Sequence, residues 1–148
     1  MNNSDISIVI PAKNEAENLR DLLPELVSLY PEAEIIVVND GSSDNTEEVC
    51  HLNNVQVVSH VYSKGNGASI KTGARTASRE VIVFMDGDGQ HQPKDIAQLL
   101  AELTAGAEMC VGARNRQSQA SVGRSLANSL YNKLATWISG HPIPDLTS

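Results

Sequence analysis

The sequence has few cysteines, no cluster of basic residues and no long hydrophobic run, and each absence excludes a class of protein. Cys50 and Cys110 are its two cysteines, without CxxC spacing, which favours a reducing compartment over a disulfide framework. The formal net charge is −7 and no Lys/Arg block exists, so nucleic acid is not an expected partner. No apolar stretch approaches the roughly 18 residues of a membrane span, and the polar start does not resemble a signal peptide. We therefore expect a cytoplasmic protein, which does not exclude peripheral contact with the cytoplasmic face of a membrane.

What the sequence does contain is an apolar run that leads into two acidic residues. Residues 81–85 are apolar and mostly β-branched or aromatic, which is typical of a strand buried on both faces. Asp86 and Asp88 follow, and in an extended chain such alternate side chains point the same way, roughly 6–7 Å apart. With the amide oxygen of Gln90 they offer hard oxygen ligands for Mg²⁺ or Mn²⁺. An Asp-Gly turn that merely ends the strand is the alternative.

Apolar periodicity predicts strands that alternate with helices over one domain of 148 residues. The predicted strands are 7–10, 34–38, 55–59, 81–85 and 108–112, and the predicted helices are 19–30, 46–52, 68–77, 92–103 and 126–138. Pro11 is expected to end the first strand, Asn14 to cap the helix that follows, and Pro24 to kink or divide that helix. The alternation predicts an α/β fold with three layers, α/β/α, around a mostly parallel sheet.

Polar clusters follow the predicted strands, at 11–15, 39–44, 64–67, 86–91 and 112–114. The carboxyl ends of parallel strands lie at one edge of the sheet, and ligands of such sheets bind there. The order of elements therefore predicts one binding site built from these clusters.

The same segments resemble motifs of the family 2 glycosyltransferases. They read SIVIPAKNE at 7–15, VVNDGSSD at 37–44, KGNG at 64–67, MDGDGQH at 85–91 and VGAR at 111–114. The GQH and GAR triplets are similar to the dolichol-phosphate mannose synthase and polyprenyl-phosphate glycosyltransferase branch. The resemblance covers nearly the whole chain and implies a nucleotide-diphospho-sugar transferase (GT-A) fold, with residues 1–148 as one catalytic domain that is incomplete at its C-terminus.

The resemblance also implies roles for individual residues. It implies that the nucleoside pocket is lined by Pro11, Ala12 and Glu15, with Asp40 at the base or ribose and Lys64 near the base or diphosphate. It implies a Mg²⁺ or Mn²⁺ ion held by Asp86, Asp88 and Gln90, with Asp88 also catalytic. It implies that Arg114, and with it Arg124, faces the acceptor phosphate, and that Asp145 in the segment PDLTS is catalytic.

Each of these residues also has a purely structural interpretation. Asp40 and Asp145 can shape turns, Lys64 can be a solvated loop lysine, and Arg114 can form a surface ion pair. Arg124 can lie on the exposed face of the last helix. His91 is interpreted as a loop histidine rather than a ligand, because Mg²⁺ and Mn²⁺ sites favour oxygen.

The implied reaction is the transfer of a sugar from a nucleotide diphosphate sugar to a polyprenyl (dolichyl or undecaprenyl) phosphate, with inversion at the anomeric carbon. A divalent ion held by Asp86 and Asp88 stabilises the charge on the leaving diphosphate. The acceptor phosphate has a second pKa of about 6, so it is mostly a dianion at neutral pH and needs little help from a base. Arg114 and Arg124 would orient it, because guanidinium groups bind phosphate oxygens in bidentate fashion.

Two departures from the family pattern keep alternatives open. Asn39 stands where many relatives have an aspartate, and the chain ends at Ser148, within a segment that relatives continue beyond. A non-catalytic nucleotide-sugar-binding module therefore remains an alternative, as does a glycosyltransferase with a polysaccharide or protein acceptor. A nucleotidyltransferase of similar architecture is disfavoured, because the start of the chain carries no glycine-rich, basic triphosphate loop.

Overall fold

A computed structural model describes residues 2–112 and contains alternating strands and helices. Its strands are β1 (Ile6–Ala12), β2 (Glu34–Asn39), β3 (Gln56–Ser59) and β4 (Val81–Phe84), and its helices are α1 (Ala16–Leu29), α2 (Thr46–Leu52), α3 (Asn66–Thr76) and α4 (Ile96–Thr104). Short 3-10 turns occupy Asn3–Asp5 and Pro93–Asp95. The chain divides into two compact units, Met1–Thr104 and Ala105–Ser148, and all of these elements belong to the first. The predicted helix at 126–138, Arg114, Arg124 and Asp145 lie outside the described residues.

The four strands form one parallel sheet in the order β3-β2-β1-β4. β1 is central and pairs with β2 from Ser7↔Glu34 to Ala12↔Asn39, while residues 6–9 of β1 pair with β4. Parallel neighbours require crossover connections, and the helices between the strands supply them. The predicted parallel α/β sheet is confirmed.

The sheet is covered by helices on both faces, which gives the predicted three layers. Ile8 and Ile10 of β1 lie in the larger apolar core with side chains from α1, α2 and α4, whereas Val9 belongs to a smaller core on the other face. There α3 packs so closely that a Cβ on Gly73 would collide with the side chain of Val9. The alternation of side chains along a strand thus divides β1 between two cores.

Helix α1 is continuous from Ala16 to Leu29, although Pro24 lies inside it. Pro24 therefore does not divide the helix, and the alternative expectation, a kink, stays a prediction. Leu19, Leu23 and Leu26 are fully buried, and each buried side chain of this size contributes about 1.5–3 kcal/mol. That apolar contact with the sheet outweighs the missing amide of Pro24, which lies on the exposed side of the helix.

Pro11 lies within β1 and does not end it, which corrects another prediction. The backbone of Val9 faces β4, because its carbonyl accepts the amide of Met85 at 3.0 Å. Alternate residues of a strand present their backbone groups to the same neighbour, so Pro11 also faces the β4 side. In the described chain the ladder with β4 stops at Val9, so the absent N–H of Pro11 costs no ladder hydrogen bond.

Two further strand predictions, at 81–85 and at 108–112, also need correction. Within residues 2–112, β4 pairs with β1 alone and forms an edge of the sheet, with Phe84 46% exposed, so it is not buried on both faces. Residues 108–112 are not in a strand. Apolar composition favours extended backbone, but a strand also needs a ladder partner, and composition does not supply one.

At the amino ends of the strands, Glu34 joins three segments of the sheet. Its carboxylate accepts hydrogen bonds from the hydroxyl of the fully buried Ser7 and from the amide and hydroxyl of Ser78, at 2.8 and 2.9 Å. The amide of Arg79 in turn donates to the Ser7 oxygen at 3.2 Å. These bonds connect β1, β2 and the segment that leads into β4.

Candidate functional site

An open cleft of about 480 Å³ lies at the carboxyl ends of the strands. It is lined by the carboxyl end of β1, by the loops that follow β1, β2, β3 and β4, and by the start of α3. The lining residues are Pro11, Ala12, Lys13, Glu15, Asp40, Ser63, Gly65, Asn66, Ser69, Asp86, Gly87 and Asp88. The predicted gathering of the polar clusters therefore occurs for four of the five, and the fifth, at 112–114, falls mostly outside the described residues.

The loops after β1 and β2 are joined through Asn14. This residue adopts the left-handed backbone conformation, with φ of 56°. Its amide donates to the hydroxyl of Ser42 at 2.9 Å, and its side-chain oxygen accepts the amide of Ser43 at 2.8 Å. Asn14 thus links two loops. It does not cap α1, so the predicted cap at Asn14 is wrong.

The cap of α1 comes instead from the loop after β2. One oxygen of Asp44 accepts the amide of Ala16 at 3.1 Å, and the other accepts the amide of Thr46 at 3.0 Å. The Thr46 hydroxyl accepts the amide of Glu15 at 3.1 Å. The Asp44 carboxylate therefore accepts one amide from the first turn of each helix, α1 and α2, and together with Thr46 it holds the backbone at Glu15.

Asp40 is 4% exposed at the end of β2, and its carboxylate accepts four hydrogen bonds. One oxygen receives His60 Nδ1 at 2.7 Å and the amide of Lys64 at 2.8 Å. The other receives the hydroxyl of Ser63 at 2.7 Å and the amide of Gly65 at 2.9 Å. A carboxylate has about four lone-pair positions, so these donors occupy all of them.

The hydrogen bonds also determine the ionisation of Asp40. Burial alone raises the pKa of a carboxyl group, but the bonds from His60, Lys64, Ser63 and Gly65 outweigh burial and hold the pKa of Asp40 well below its usual range. Asp40 is therefore an acceptor in all four bonds, and Nδ1 of His60 carries the proton between them. The second ring nitrogen, Nε2, lies 2.9 Å from the hydroxyl of Thr72 on α3.

Gly41 allows the loop between β3 and α3 to approach the end of β2. It has a φ of +67°, and a Cβ at this position would lie 2.8 Å from the backbone nitrogen of Ser63 and 2.9 Å from the carbonyl carbon of Tyr62. Only glycine combines this backbone conformation with such a close approach. Asp40-Gly41 therefore forms a turn after β2, and Gly41 lets the backbone of Tyr62 and Ser63 pack directly against that turn.

Asp86 and Asp88 both line the cleft, in the loop that follows β4. His91 holds this loop closed, because its Nδ1 accepts the amide of Asp86 at 3.2 Å. One oxygen of Asp88 accepts the amide of Gln90 at 2.9 Å. Among residues 2–112, no hydrogen bond or ion pair engages the Asp86 carboxylate.

This arrangement fits a Mg²⁺ or Mn²⁺ ion that takes some of its ligands from the protein and the others from a bound phosphate. No cluster of three or more His, Cys, Asp or Glu side chains with the geometry of a metal site occurs in the described chain. Magnesium sites are commonly built in this way, from one or two carboxylates, waters and substrate phosphates. Asp86 and the second oxygen of Asp88 would supply the protein ligands.

Two predicted site residues do not line the cleft with their side chains. Gln90 is exposed, and its amide rather than its side chain contacts Asp88. The ammonium group of Lys64 lies 5.7 Å from the ring centre of Tyr62, and the residue reaches the site through its backbone bond to Asp40. The assigned roles of both residues stay predictions.

The structure also adds residues that the sequence did not single out. Lys13, Ser63, Asn66 and Ser69 line the cleft, and Lys13 Nζ lies 3.1 Å from the Ser63 oxygen. Lys13 and Asn66 belong to polar clusters that the sequence did identify, at 11–15 and 64–67, although it assigned neither a role, whereas Ser63 and Ser69 lie in none of the clusters. His60 was missed altogether, since a single histidine after a strand carries no pattern.

Asn39, at which the sequence departs from the family pattern it resembles, is both a hydrogen-bond donor and an acceptor. Its amide nitrogen lies 3.3 Å from a carboxylate oxygen of Glu47 and 3.2 Å from the hydroxyl of Ser59, while its oxygen accepts the amide of Ser42 at 3.0 Å. A carboxylate at this buried position would face Glu47 at close range, so the amide suits its surroundings.

The family to which the chain belongs follows from comparison with known proteins. The model of glycosyl transferase family 2 matches residues 7–145, and the chain belongs to this family.

Two curated relatives carry related names. The undecaprenyl-phosphate 4-deoxy-4-formamido-L-arabinose transferase of Proteus mirabilis is 32% identical over 95% of this chain and 46% of its own length. The dolichol-phosphate mannosyltransferase of Pyrococcus furiosus is 33% identical over 74% of this chain and 33% of its own length. The chain thus spans less than half of either relative.

A solved structure supports the same fold. Glucosyl-3-phosphoglycerate synthase from Mycobacterium tuberculosis, crystallised with Mn²⁺, uridine-diphosphate-glucose and phosphoglyceric acid, matches 87% of this chain and 50% of its own with a TM-score of 0.71 and 26% identity. The GT-A fold implied by the resemblance is thereby confirmed. Within residues 2–112, none of the helices has the length and apolar character that crossing a membrane requires.

Proposed function

We propose that this protein is a metal-dependent, inverting glycosyltransferase that moves a sugar from a nucleotide diphosphate sugar to a polyprenyl phosphate. The observation that carries the proposal is the cleft of a family 2 chain, where Asp86 and Asp88 meet the residues that follow β1. Two carboxylates, with no third His, Cys, Asp or Glu beside them in the described chain, suit a cation whose remaining ligands come largely from a diphosphate.

In this proposal the donor lies along the cleft from the β1 end to the β4 end. Pro11, Ala12 and Glu15 form the wall for the nucleoside, on backbone that the Asp44 and Thr46 bonds hold in place. Ser63 and Gly65 belong to the facing wall, and Asp40 and Lys64 take part through the bonds that join them to that wall.

Asp86 and Asp88 hold the cation at the diphosphate. When bound, the ion acts as a Lewis acid for the departing nucleoside diphosphate. Asp88 orients the reacting end of the donor, while one of its oxygens accepts the amide of Gln90. The side chain of Gln90 is proposed as a further ligand.

The acceptor side of the proposal draws on the names of the relatives. The Proteus mirabilis and Pyrococcus furiosus proteins are named for undecaprenyl phosphate and dolichol phosphate. We propose that Arg114 and Arg124 bind the phosphate of such an acceptor and that Asp145 acts at the sugar. A polyprenyl acceptor also leads us to propose that the protein works at the cytoplasmic face of a membrane.

The first test measures donor binding. We expect UDP or GDP, with Mn²⁺, to raise the melting temperature of the protein, because a ligand that binds only the folded state stabilises it. Asp86→Asn and Asp88→Asn should remove the part of the shift that depends on Mn²⁺. Asp95→Asn, a matched change at an exposed acid outside the cleft, should leave the shift intact. A Mn²⁺-dependent shift that survives in both cleft variants would overturn the metal assignment.

The second test measures transfer. Labelled nucleotide sugars, Mn²⁺ and undecaprenyl phosphate should give a lipid-linked product with the wild-type chain and none with Asp88→Asn. Because the chain spans less than half of its relatives, a donor-binding module is the second candidate. Donor binding without any product favours that module over the transferase.

A further inference from the structure

We propose that the outer side of α3 and the loop before it form a surface that docks on the anionic headgroups of a lipid bilayer. This α3 surface consists of Val61, Tyr62, Lys64, Lys71 and Arg75. The inference rests on the proposed function and deepens it, since a polyprenyl phosphate acceptor lies in a membrane and the nucleotide donor arrives from water.

The first step in the argument is the uneven distribution of charge along the chain. Residues 49–79 contain none of the 18 aspartates and glutamates, and their basic residues are Lys64, Lys71, Arg75 and Arg79. The negative charge therefore lies entirely outside this segment, although the formal net charge of the chain is −7. Such an asymmetry indicates an electrostatic partner that the net charge does not reveal.

The second step is that the fold separates the charges onto two faces of the sheet. α3 packs over Val9 and Val38 on one face, whereas the buried apolar residues of α1, α2 and α4 belong to the core on the other face. α3 carries two basic residues and no acid. The other three helices carry one arginine, Arg20, and six exposed acids, namely Glu17, Asp21, Glu25, Glu47, Glu48 and Glu102. Within the described chain, the α3 face is therefore cationic and the opposite face anionic.

The third step is that the basic side chains of α3 are accessible. Lys71 and Arg75 are exposed and lie four positions apart, so they project from the same side of the helix. Among residues 2–112, neither forms an ion pair with an acid. Lys64 in the preceding loop is exposed as well, whereas Arg79 stands next to Glu80, which offsets its charge. Three cations thus remain for an anionic partner.

The fourth step concerns two exposed apolar residues that adjoin these cations. Val61 is 96% exposed and Tyr62 is 67% exposed, in the loop that leads into α3. The ammonium group of Lys64 lies 5.7 Å from the ring centre of Tyr62. An amphipathic ring with a neighbouring lysine is typical of the boundary between lipid tails and headgroups. Nucleic acid would leave Val61 in water, so the combination of cations and apolar side chains favours a lipid surface.

The fifth step relates the α3 surface to the cleft. The loop that carries Val61 and Tyr62 also contains Ser63 and Gly65, which line the cleft. Docking through this loop would bring one rim of the cleft to the level of the lipid phosphates. The acidic face of α1, α2 and α4 would point away, because an anionic membrane repels it. A polyprenyl phosphate would then reach the cleft without leaving its bilayer.

The first test is co-sedimentation of the full chain with vesicles of phosphatidylcholine, with or without about 30% phosphatidylglycerol. We expect binding to the anionic vesicles alone, and an increase from about 50 mM to about 300 mM NaCl should weaken it. Lys71→Gln/Arg75→Gln should bind about 25-fold more weakly, because each basic residue at an anionic surface contributes about fivefold in affinity. The matched control, Arg20→Gln/Lys94→Gln, removes the same charge from exposed positions outside α3 and should bind as the wild type does.

The second test concerns the apolar part of the α3 surface. Tyr62→Ser should weaken binding to the anionic vesicles by about threefold to tenfold, because the ring no longer leaves water. Leu52→Ser is the matched control, since Leu52 is a 75% exposed apolar residue at the end of α2, and it should have no effect. Equal losses in these two variants, or no loss in Tyr62→Ser, would contradict an apolar contact through this loop.

Other results would overturn the inference as a whole. Equal losses in the two charge variants would mean that net charge, and not the α3 surface, determines vesicle binding. Tighter binding to duplex DNA than to the anionic vesicles at the same salt would assign the cations to nucleic acid. Equal binding to neutral and anionic vesicles would remove the electrostatic basis.

The melting-temperature shift with UDP or GDP and Mn²⁺, measured on the same proteins, separates this inference from the proposed function. Lys71→Gln/Arg75→Gln should keep the shift of the wild type, since neither residue lines the cleft. A wild-type chain that shows the shift but binds no anionic vesicle would overturn the α3 surface and leave the donor site standing. Vesicle binding without any nucleotide shift would reject the proposed function and support the α3 surface.

Discussion

The ionised state of the Asp40 carboxylate predicts how the free energy of unfolding of the protein depends on pH. Its pKa is lower in the folded chain than the value of about 3.9 in an unfolded chain. The stabilisation is therefore fully present above about pH 4 and is lost as the pH falls toward the folded pKa. Asp40→Asn should lower the free energy of unfolding by about 2 kcal/mol at neutral pH and should flatten its fall between about pH 5 and about pH 2.

Chemical denaturation at a series of pH values measures this effect. Asp44 and Glu47 also have lowered pKa values, so part of the acid-dependent loss should remain in the variant. Asp95→Asn should follow the wild-type curve. Parallel curves for Asp40→Asn and wild type would contradict the ionised, hydrogen-bonded state of Asp40.

Cys50 provides a second prediction for a single residue. It is fully buried, and burial, together with the charge of Glu47, raises the pKa of its thiol to about 11. Thiols react as thiolates, so Cys50 should be inert in the folded protein. In a Cys110→Ser variant, a disulfide reagent at about pH 8 should label Cys50 only at the rate of unfolding. Rapid labelling without denaturant would contradict the burial of Cys50.

The position of Asp40 was predictable from the sequence, but its partners were not. The motif at 37–44 and its place after a strand identified the residue. Its donors come from a segment about twenty positions later, and which of them reach the carboxylate depends on the close approach that Gly41 allows. Local sequence patterns contain no information about such a contact.

At the scale of the elements, α3 offers a matched pair of glycines. A Cβ on Gly73 would collide with Val9 of β1, whereas a Cβ on Gly67 meets nothing within 4 Å. Gly73→Ala should therefore destabilise the protein by about 1–3 kcal/mol through overpacking. Gly67→Ala should stabilise it by about 0.5–1 kcal/mol, because alanine is the better helix former.

Denaturant unfolding of the two variants distinguishes packing from helix propensity. Both substitutions are the same change in the same helix, so their difference isolates the contact with the sheet. Equal effects from Gly73→Ala and Gly67→Ala would mean that α3 does not pack closely on β1.

The element boundaries differ from prediction where the neighbouring strand or loop decides. The helix at 46–52 was predicted at its observed bounds, because its signals are local. The caps of α1 and the course of β1 through Pro11 were mispredicted, since Asp44 and the end of the β4 ladder determine them. The burial of β4 was also mispredicted, because it depends on which elements pack against that strand, and the apolar residues of β4 do not specify them.

At the scale of the whole molecule, net charge should affect the affinity of the proposed nucleotide site. The chain carries a formal charge of −7, and a nucleoside diphosphate is itself an anion. Without a divalent ion, UDP should bind more tightly at about 300 mM than at about 20 mM NaCl, because salt screens the repulsion. With Mn²⁺ this salt dependence should shrink or reverse.

Titration calorimetry with EDTA or Mn²⁺ measures this dependence, and uridine, which has no phosphate, is the control that should be insensitive to salt. Tighter binding of UDP at low salt in EDTA would mean that local cations, such as Lys13, outweigh the charge of the molecule.

The family and the parallel sheet were predictable at this scale because strand–helix alternation and five ordered motifs extend along the chain. The strand order β3-β2-β1-β4 was not, since alternation alone is compatible with several orders.

The Glu34 junction lies at the amino ends of the strands, while the cleft lies at their carboxyl ends. The bonds that join the strands at their amino ends are therefore separate from the proposed binding site at their carboxyl ends. We expect substitutions at Ser7, Glu34 and Ser78 to raise or lower the thermal stability of the protein without changing the ligand that the proposed site binds. Natural sequence changes at these positions would have the same effect.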